Sequence, residues 1–406
     1  MSWAGELLLN IHSWRNGTAK IKASLTKDEN PLRIGVISAA AINYAAIIDP
    51  VQTHTGAIIV AIAARSKAKA EAQITKYGLA PTCKAYGSYG ELLADPGIDA
   101  VYIPLPNGLH AEWAVKAMEA GKHVLIEKPV ASNADQARRI HETATATGKV
   151  ALEAFHWRFH PAAHRMREIV ESGKYGSVTE ISAEFGLPTG ILGKDDIRFN
   201  YDLAGGASMD LAYVSCFCMY FAAPDSTACD FRVLEAKPRP NRLDNKIDDS
   251  MEAHFVIESP GRRPVNCHTF ADSAVPLLWG FIPQIWKATP RSVIELEKAR
   301  IEFDGFVLAT YGHSIVVKEK DMNGRLTGKK HAESCYVDGP QWGTRGKSWW
   351  TTYRYQLEGF VDMVRANEAG REKEYHGPWM SLDESTKLME LIDAVYEKAG
   401  LPKRGL

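Results

Sequence analysis

The 406-residue sequence lacks paired cysteines, a strong net charge of either sign and any long hydrophobic run. Its six cysteines show no C-x-x-C spacing, which predicts reduced thiols in an intracellular protein rather than disulfides or a metal site. The 48 basic residues balance 49 acidic ones, and this balance argues against a nucleic-acid partner. No apolar run approaches the ~20 residues that cross a bilayer, so we expect a cytoplasmic protein without a membrane partner.

The first 30 residues lack the basic start and hydrophobic core of a secretory signal. Four apolar residues recur there at helical spacing: Trp3, Leu7, Ile11 and Trp14. This spacing predicts a short amphipathic helix, docked on the body of the protein or on a partner subunit. An organelle transit peptide is disfavoured because Glu6 interrupts the apolar face and arginine is scarce.

Between residues 31 and 154, short apolar segments alternate with helical ones. The apolar segments, which predict strands, are 32–38, 57–65, 100–106, 123–129 and 150–157. The intervening segments are typical of helices, as in 67–78, which ends at Gly78. Almost wholly apolar strands separated by helices predict a doubly wound parallel sheet covered on both faces.

After residue 155 the pattern changes to polar and apolar residues in alternation, which is typical of antiparallel strands. The segments with this pattern are 177–186, 250–259, 262–271 and 292–305. A last helix begins at Ser381, a good cap followed by an acidic first turn, and ends at Gly400. A chain of this length is expected to form about two domains. We divide it into an extension (1–30), a nucleotide-binding domain (31–154), an α+β substrate and dimerisation domain (155–380) and a C-terminal helix (381–406) that packs back near the first domain.

The glycines of a dinucleotide-binding fingerprint are missing after the first strand. Where G-x-G-x-x-G is expected, the chain reads Ser38-Ala39-Ala40-Ala41-Ile42-Asn43. Those glycines allow a tight turn, a close approach of backbone N–H groups to pyrophosphate, and close packing of helix on strand. Alanine or serine can serve the last two purposes if the backbone stays at negative φ, and a serine hydroxyl can bind a phosphate. The motif leaves open both a cofactor site and a plain strand–helix turn.

The second strand ends without the Asp or Glu that usually binds the ribose 2′-hydroxyl of NAD. Arg65 and Ser66 follow it instead, and then Lys67 and Lys69. Cations at this position favour a 2′-phosphate, so we predict NADP rather than NAD as cofactor. The alternative is a solvated basic start of a helix, although cations are unfavourable at a helix N-terminus.

Two loops fall at the carboxyl ends of predicted parallel strands, where open sheets of this type bind ligands. They are Pro104–His110 and Glu127–Pro129. The second loop places Lys128 at the wall of a cleft, where partial loss of solvent would lower its pKa so that it could move a proton or polarise a carbonyl oxygen. The alternative is a solvated turn.

The segments "RIGVIS", "AARS" and "LEAFHWRFHP", with Asn107-x-x-His110 and Glu127-Lys128-Pro129, resemble the glucose–fructose oxidoreductase, inositol dehydrogenase and MocA family (Gfo/Idh/MocA). The likeness is greatest to the branch of dimeric dihydrodiol dehydrogenase and NADP-dependent D-xylose 1-dehydrogenase. It implies an α/β fold, with an N-terminal Rossmann doubly wound parallel sheet and a C-terminal α+β domain with an open, mainly antiparallel sheet. It also implies a homodimer or higher homo-oligomer, and Lys128 as the residue that assists proton transfer.

In this family an Asp after a Gly-Gly pair is followed four residues later by His or Tyr. Here Gly205-Gly206 leads to Asp210, but position 214 is Val and Tyr213 lies three residues after the Asp. Positions i+3 and i+4 share a helix face, so Tyr213 could still reach the cleft. We predict that Tyr213 relays a proton, with its pKa lowered by Lys128, and that Asp210 orients the group; the alternative is a Tyr213 that only packs.

The candidate site residues fall into three groups. The catalytic candidates are Lys128, Tyr213 and Asp210. The cofactor-binding candidates are Ser38, Ala40, Ala41, Ile42, Arg65, Ser66, Pro104, Leu105, Asn107, His110, Glu127, Lys128, Trp157 and Arg158. The substrate-binding candidates are His156, Asp196, Arg198 and Asp210. A structural histidine is the alternative for His156, and a packed hinge residue is the alternative for Trp157. We interpret the Trp- and Arg-rich stretch 341–356 as a core and interface patch.

The leading functional hypothesis is an NADP-dependent oxidoreductase that transfers a hydride between nicotinamide and a sugar, cyclitol or diol-like small molecule. One alternative is a non-catalytic NAD(P)-binding regulator of the same fold, kept open by Val214 and the 30-residue extension. Another is a redox-neutral enzyme with a tightly held cofactor.

Overall fold

The first sheet is built from the apolar segments of the N-terminal half. The computed structural model describes residues 3–79, 81–193, 196–223, 225–337 and 341–405. Its first six strands are β1 (Leu32–Ile37), β2 (Ala57–Ala63), β3 (Lys84–Tyr86), β4 (Ala100–Ile103), β5 (His123–Ile126) and β6 (Ala151–Glu153). They pair in parallel in the order β3-β2-β1-β4-β5-β6. The doubly wound parallel sheet predicted from the sequence is confirmed.

Helices precede this sheet and connect its strands. They are α1 (Trp3–Asn16), α2 (Thr18–Ser24), α3 (Asp49–Gln52), α4 (Lys67–Lys76), α5 (Tyr89–Leu93), α6 (His110–Glu119) and α7 (Ala134–Thr147). The segment between β1 and β2, which we expected to be one helix, is instead a turn, a π-helical turn (Tyr44–Ile48) and then α3. The side chains of the strands are almost all buried, because helices cover both faces of the sheet.

The second sheet has eight strands in the described residues. They are β7 (Val178–Pro188), β8 (Asp230–Pro240), β9 (Asp248–Glu258), β10 (Val265–Val275), β11 (Arg291–Leu296), β12 (Ala299–Asp304), β13 (Ser314–Lys320) and β14 (Leu326–Glu333). Their order is β14-β13-β12-β11-β7-β10-β9-β8, and only the β7–β10 pair is parallel. The predicted mainly antiparallel sheet is confirmed.

The second half of the chain also contributes five α-helices among the described residues. They are α8 (Pro161–Glu171), α9 (Ala207–Asp210), α10 (Tyr213–Ala222), α11 (Thr352–Glu368) and α12 (Leu382–Lys398). Helix α12 begins at Ser381 with a capping box to Glu384, as its acidic first turn suggests. It lies against α7, where Asp393 accepts the backbone N–H of Ala134 at 2.9 Å. None of the described helices is long and apolar enough to cross a bilayer.

The extension packs on the body of the chain and contacts both halves of it. Leu9 is buried, and Glu6 accepts a hydrogen bond from the Tyr77 hydroxyl at 2.9 Å. On the other side, the His12 ring lies 2.9 Å from the carbonyl oxygen of Trp349. Residues 1 and 2 of the predicted extension, residue 406 of the predicted C-terminal segment and the side chain of Trp3 lie outside the described residues.

Candidate active site

A cavity of about 700 Å³ lies where the carboxyl ends of β1, β4 and β5 meet the second half of the chain. Eight of the predicted cofactor residues line it: Ala40, Ala41, Ile42, Pro104, Leu105, Asn107, Glu127 and Lys128. All the predicted catalytic and substrate residues line it as well: His156, Asp196, Arg198, Asp210 and Tyr213. The position agrees with the general rule that open parallel sheets bind ligands beyond the carboxyl ends of their strands.

The loop after β1 is held in a defined shape by side-chain hydrogen bonds. Asn43 donates from Nδ2 to the carbonyl oxygen of Ser38 at 2.7 Å and to Oε1 of Gln73 at 2.8 Å. Gln73 in turn donates to the carbonyl oxygen of Ala40 at 3.1 Å. Ser38 itself, at the first fingerprint position, has φ +110°. A serine thus occupies the position of the first fingerprint glycine, in a backbone conformation that favours glycine.

The end of β2 carries exposed positive charges. Arg65, Ser66, Lys67 and Lys69 are all exposed. The three cations form no ion pair with any residue that the structure describes. Arg65 and Ser66 lie outside the walls of the cavity, on the side where β2 ends. A carboxylate suited to a ribose 2′-hydroxyl is also absent from the first residues after this strand.

The two strand-end loops are tied together beneath the cavity by His110. Its ring nitrogens lie 2.7 Å from the carbonyl oxygens of Leu105 and Pro129, and the ring is fully buried. Burial lowers the pKa of His110 to about 4, against the two backbone hydrogen bonds, which favour the charged ring. His110 therefore holds the loops and does not line the cavity, contrary to its predicted contact with cofactor. Asn107 lines the cavity and donates to the carbonyl oxygen of Ala204 at 3.0 Å.

A row of four alternating charges crosses the cavity. The Lys128 ammonium group donates to the carbonyl oxygen of Asp210 and lies 3.1 Å from its Oδ1. Arg198 Nε lies 2.8 Å from Asp210 Oδ2, and its Nη1 lies 3.0 Å from Asp196 Oδ1. Burial alone would raise the pKa of Asp210, but the charges of Arg198 and Lys128 outweigh burial and hold it well below its usual value. Asp210 is thus a carboxylate that fixes the lysine.

A chain of polar groups runs from the cavity into α11. The Tyr213 hydroxyl lies 3.2 Å from His156 Nε2, and His156 Nδ1 lies 2.9 Å from the Thr352 hydroxyl. Burial, together with the Lys128 charge, lowers the pKa of His156 to about 3. The imidazole is therefore neutral at pH 7, with one nitrogen free to accept a hydrogen bond.

The expectation that Lys128 lowers the pKa of Tyr213 is wrong for this geometry. The Lys128 Nζ lies 4.9 Å from the centroid of the Tyr213 ring, and the hydroxyl faces His156 instead. Burial, with the negative charges of nearby groups, raises the pKa of Tyr213 well above its usual value. Tyr213 is therefore a neutral phenol whose hydroxyl is positioned by His156.

A break between α9 and α10 places Asp210 and Tyr213 side by side. The backbone leaves the helix at Leu211, and α10 begins at Tyr213. The Gly205–Gly206 pair before α9 lies on a buried ion pair of Asp248 and Arg404, whose Nη2–Oδ1 distance is 3.0 Å. Gly206 has φ +132°, and a Cβ there would collide with the Asp248 carboxylate.

Trp157 and Arg158 do not reach the cavity, although we predicted both as cofactor residues. Trp157 is fully buried against Phe217, at a ring distance of 5.7 Å. Arg158 pairs with Glu384 at 2.9 Å on the far side of this segment. The short 3-10 helix His156–Phe159 directs His156 alone toward the cavity, because successive residues of a helical turn face different sides.

Besides the apolar lining of the cavity, two hydroxyl-bearing residues that contribute to this site were missed in the sequence. Tyr353 lines the cavity, and its ring centroid lies 4.0 Å from that of His156. Its neighbour Thr352 holds His156. Both belong to the stretch interpreted as a core and interface patch. The usable signal was the Thr351 cap, which places the next two residues at the start of a helix.

Comparisons with known proteins match part of the chain to an oxidoreductase family in sequence, and most of the chain to solved structures in fold. Residues 32–155 match the model of an oxidoreductase family with an NAD-binding Rossmann fold, GFO_IDH_MocA. The chain is 42% identical over 200 residues to D-xylose 1-dehydrogenase (NADP(+)) 2 of Haloferax volcanii, across 48% of this chain and 58% of the relative. It is 37% identical over 181 residues to dTDP-3,4-didehydro-2,6-dideoxy-α-D-glucose 3-reductase of Saccharopolyspora spinosa, across 45% of this chain and 53% of the relative. The chain thus spans somewhat more than half the length of these curated relatives.

The fold as a whole resembles that of KijD10, a 3-ketoreductase from Actinomadura kijaniata solved in complex with NADP and TDP-benzene. The TM-score is 0.71 at 22% identity, and the likeness covers 91% of this chain and 98% of KijD10. At this identity the likeness shows the fold alone. The likeness in fold continues beyond residue 155 and includes both sheets.

Proposed function

Since residues 32–155 belong to the Gfo/Idh/MocA oxidoreductase family, we propose that the protein is an NADP-dependent dehydrogenase or reductase acting on a CH–OH group. Its substrate is a sugar, cyclitol or diol-like small molecule. One observation carries the proposal: Lys128, fixed by Asp210, lies beside Tyr213 in a cleft at the carboxyl ends of the parallel strands. The NADP-dependent D-xylose dehydrogenase among the relatives supports it.

The residues around the cleft suit NADP. The small side chains of Ala40 and Ala41 leave room for a pyrophosphate beside the loop that Asn43 holds in shape. Arg65 and Lys67, which have no ion-pair partner among the described residues, supply charge for a 2′-phosphate at the end of β2. When bound, the nicotinamide supplies or accepts the hydride.

Side chains of the protein itself carry out the proton transfer. Tyr213 is a neutral phenol, so it can accept a substrate proton only as its own proton passes on. The His156 Nε2, at 3.2 Å and neutral, is the acceptor within reach. The Lys128 ammonium group stabilises the negative charge that develops on the substrate oxygen. In the reductive direction the same groups deliver the proton.

We further propose that the protein works in the cytoplasm as a homodimer or higher homo-oligomer. The sequence supports the first part, because its cysteines show no C-x-x-C spacing, which we interpret as reduced thiols of an intracellular protein. Helices α10 and α12 cover one side of the second sheet, and the other side is the surface we expect to form the contact between subunits. Sedimentation velocity across a range of concentrations tests this, and a monomer at every concentration would contradict it.

The experiment that tests the function follows reduced-nicotinamide absorbance. Purified protein is mixed with NADP⁺ or NAD⁺ and with a panel of aldoses, cyclitols and vicinal diols. We expect a rise with NADP⁺ and one substrate class. Lys128→Met should lose about 10²- to 10⁴-fold in turnover with little change in NADP⁺ affinity, because the lysine acts on the substrate oxygen. Lys116→Met, an exposed lysine of α6 paired with Glu112, is the matched control and should keep full turnover.

The outcomes separate the proposal from its rivals. No rise in any mixture, while a separate titration shows bound cofactor, would favour a regulator or a redox-neutral enzyme. Unchanged turnover in Lys128→Met would remove the assigned role of this lysine while leaving the dehydrogenase assignment intact.

A further inference from the structure

The wall of the cleft that comes from the second half of the chain is mainly apolar. The apolar side chains that line it include Phe185, Leu187, Ile191, Leu192, Ile197 and Leu308. A sugar hydroxyl placed against such a wall would leave water without a replacement hydrogen bond, which costs free energy. An apolar group placed there would gain free energy instead.

Four of the five charged residues that line the cleft form one row, and the fifth, Glu127, directly precedes Lys128. Lys128, Asp210, Arg198 and Asp196 follow one another in contact, with alternating sign. Hydroxyl groups of a substrate can exchange hydrogen bonds with this row. The cleft therefore has a polar half beside Lys128 and an apolar half on the side of β7.

The apolar half continues to the surface. Ile191 and Ile197 line the cavity, yet they are 43% and 45% exposed. Strands β7 and β10 are parallel neighbours, and Thr189 donates from N and Oγ1 to the carbonyl oxygen of Val275 at 3.0 and 2.8 Å. The loop 276–290 after β10 thus leaves the sheet beside the wall that follows β7.

That loop carries its own exposed apolar side chains. Trp279 is 77% exposed and Phe281 is 70% exposed. Neither residue lines the cavity.

We propose that the substrate is amphipathic: a hydroxylated ring that carries an apolar aglycone, in the manner of an aryl or long-chain alkyl glycoside. The hydroxylated ring contacts the charged row beside Lys128, and the aglycone lies against Leu187, Ile191 and Leu192. This assignment rests on the proposed function, because it names the substrate class of the same cleft.

The experiment uses one sugar with aglycones of increasing apolar size. Methyl, phenyl, 2-naphthyl and octyl β-D-glucosides are titrated calorimetrically into NADP⁺-loaded protein, with the octyl compound kept below its micelle concentration. Burial of each methylene is expected to raise affinity up to about threefold to fourfold. We therefore expect the octyl glucoside to bind at least about 100-fold more tightly than the methyl glucoside. The same order is expected in kcat/KM.

Variants locate the apolar contact. Ile191→Ser and Ile197→Ser should each lower the octyl-to-methyl affinity ratio about tenfold, because they place a hydroxyl in the apolar wall. Leu243 is 86% exposed and does not line the cleft. Leu243→Ser is therefore the control, and it should leave the octyl-to-methyl affinity ratio unchanged.

The binding titration decides the inference independently of turnover. Equal affinity for the methyl and octyl glucosides, or no binding of either, would overturn it. A large ratio that falls in the two isoleucine variants would support it. Absence of turnover with every compound would count against the proposed function alone.

Discussion

Ser38 stores backbone strain at the point where the first strand turns into the nucleotide-binding loop. Its φ of +110° is a conformation that residues with a Cβ rarely adopt. The strain persists because the surrounding hydrogen bonds fix the residue: its N–H donates to the Ala63 carbonyl at 2.9 Å, and its carbonyl accepts from Asn43. A serine here keeps a hydroxyl next to the predicted pyrophosphate site.

Ser38→Gly should therefore stabilise the protein. Relief of strain is worth about 1–3 kcal/mol, and the greater freedom of glycine in the unfolded chain returns about 0.5–1 kcal/mol, so we expect a net gain of about 1 kcal/mol in the free energy of unfolding. Urea unfolding measures it. Ala39→Gly, at a neighbour without positive φ, is the control and should destabilise by about 0.5–1 kcal/mol. A loss of stability in Ser38→Gly would mean that the hydroxyl contributes more than the strain costs.

Tyr213 gives a second prediction for a single side chain. Tyr213→Phe removes the hydroxyl that faces His156 and should lower turnover about 10²- to 10⁴-fold, since proton transfer loses its positioned donor and acceptor. Tyr220→Phe, on the same helix but facing Arg158, is the matched control and should keep its turnover. Steady-state kinetics with a titration of NADP⁺ affinity checks both variants. Equal turnover in the two would show that Tyr213 only packs.

For single residues, the sequence predicted which residues form the site better than it predicted which of them contact each other. Lys128 and Asp210 were expected from the resemblance to a known family, and the structure brings them within 3.1 Å. The bond between Tyr213 and His156 could not be predicted, because it depends on the break in the helix at Leu211. Trp157 was misplaced for a similar reason: a short 3-10 helix directs neighbouring side chains to opposite sides.

At the scale of secondary-structure elements, Arg404, which follows α12, holds α9 in place beneath the site. Arg404 donates from Nε to the carbonyl oxygen of Gly205 at 2.8 Å and from Nη2 to Asp248 at 3.0 Å. Asp248 also accepts from the backbone and hydroxyl of Ser208, both at 2.8 Å. The ends of α9 and of the chain are thereby joined beneath Asp210, and both ionic side chains are fully buried.

Arg404→Met should accordingly cost about 3–5 kcal/mol of unfolding free energy, because it leaves the Asp248 carboxylate buried without its partner. Adding Asp248→Asn removes that charge and should recover part of the loss. Lys403→Met, which breaks a more exposed pair with Asp135, is the control and should cost about 1 kcal/mol or less. Denaturant unfolding compares the three. Equal costs for the Arg404 and Lys403 variants would contradict a role for the buried pair.

The elements that the sequence did not reveal are mostly at the edges of the second sheet. Strand β14 is exposed along nearly its whole length, so no burial leaves an apolar pattern to detect. Strand β8 contains two prolines, which is tolerated at an edge but obscures a strand signal. The Rossmann strands were predictable because helices bury them on both faces, which makes them continuously apolar.

Over the whole molecule, burial lowers the pKa of several interior histidines. Burial lowers the pKa of His110 and His123 to about 4 and that of His156 and His164 to about 3. In the unfolded chain each should titrate near its ordinary value of about 6.5. The unfolded state therefore binds more protons than the folded state between about pH 4 and 6.5.

Stability should consequently be highest above about pH 6.5 and fall as the pH drops toward 4. At pH 5 each of these histidines costs about 2 kcal/mol relative to pH 7. Glu153 acts in the opposite direction, because burial raises its pKa to about 7 and its protonated form is favoured in the folded state; it offsets roughly one histidine. We expect a net loss of several kcal/mol in the free energy of unfolding, measured by urea unfolding at about pH 7.5, 6 and 5.

His164→Gln should reduce the change of unfolding free energy with pH by the contribution of one histidine. The control His331→Gln, at an exposed position of β14, should leave that change as it is in the parent protein. A free energy of unfolding that stays constant across this range would show that these rings regain charge inside the fold.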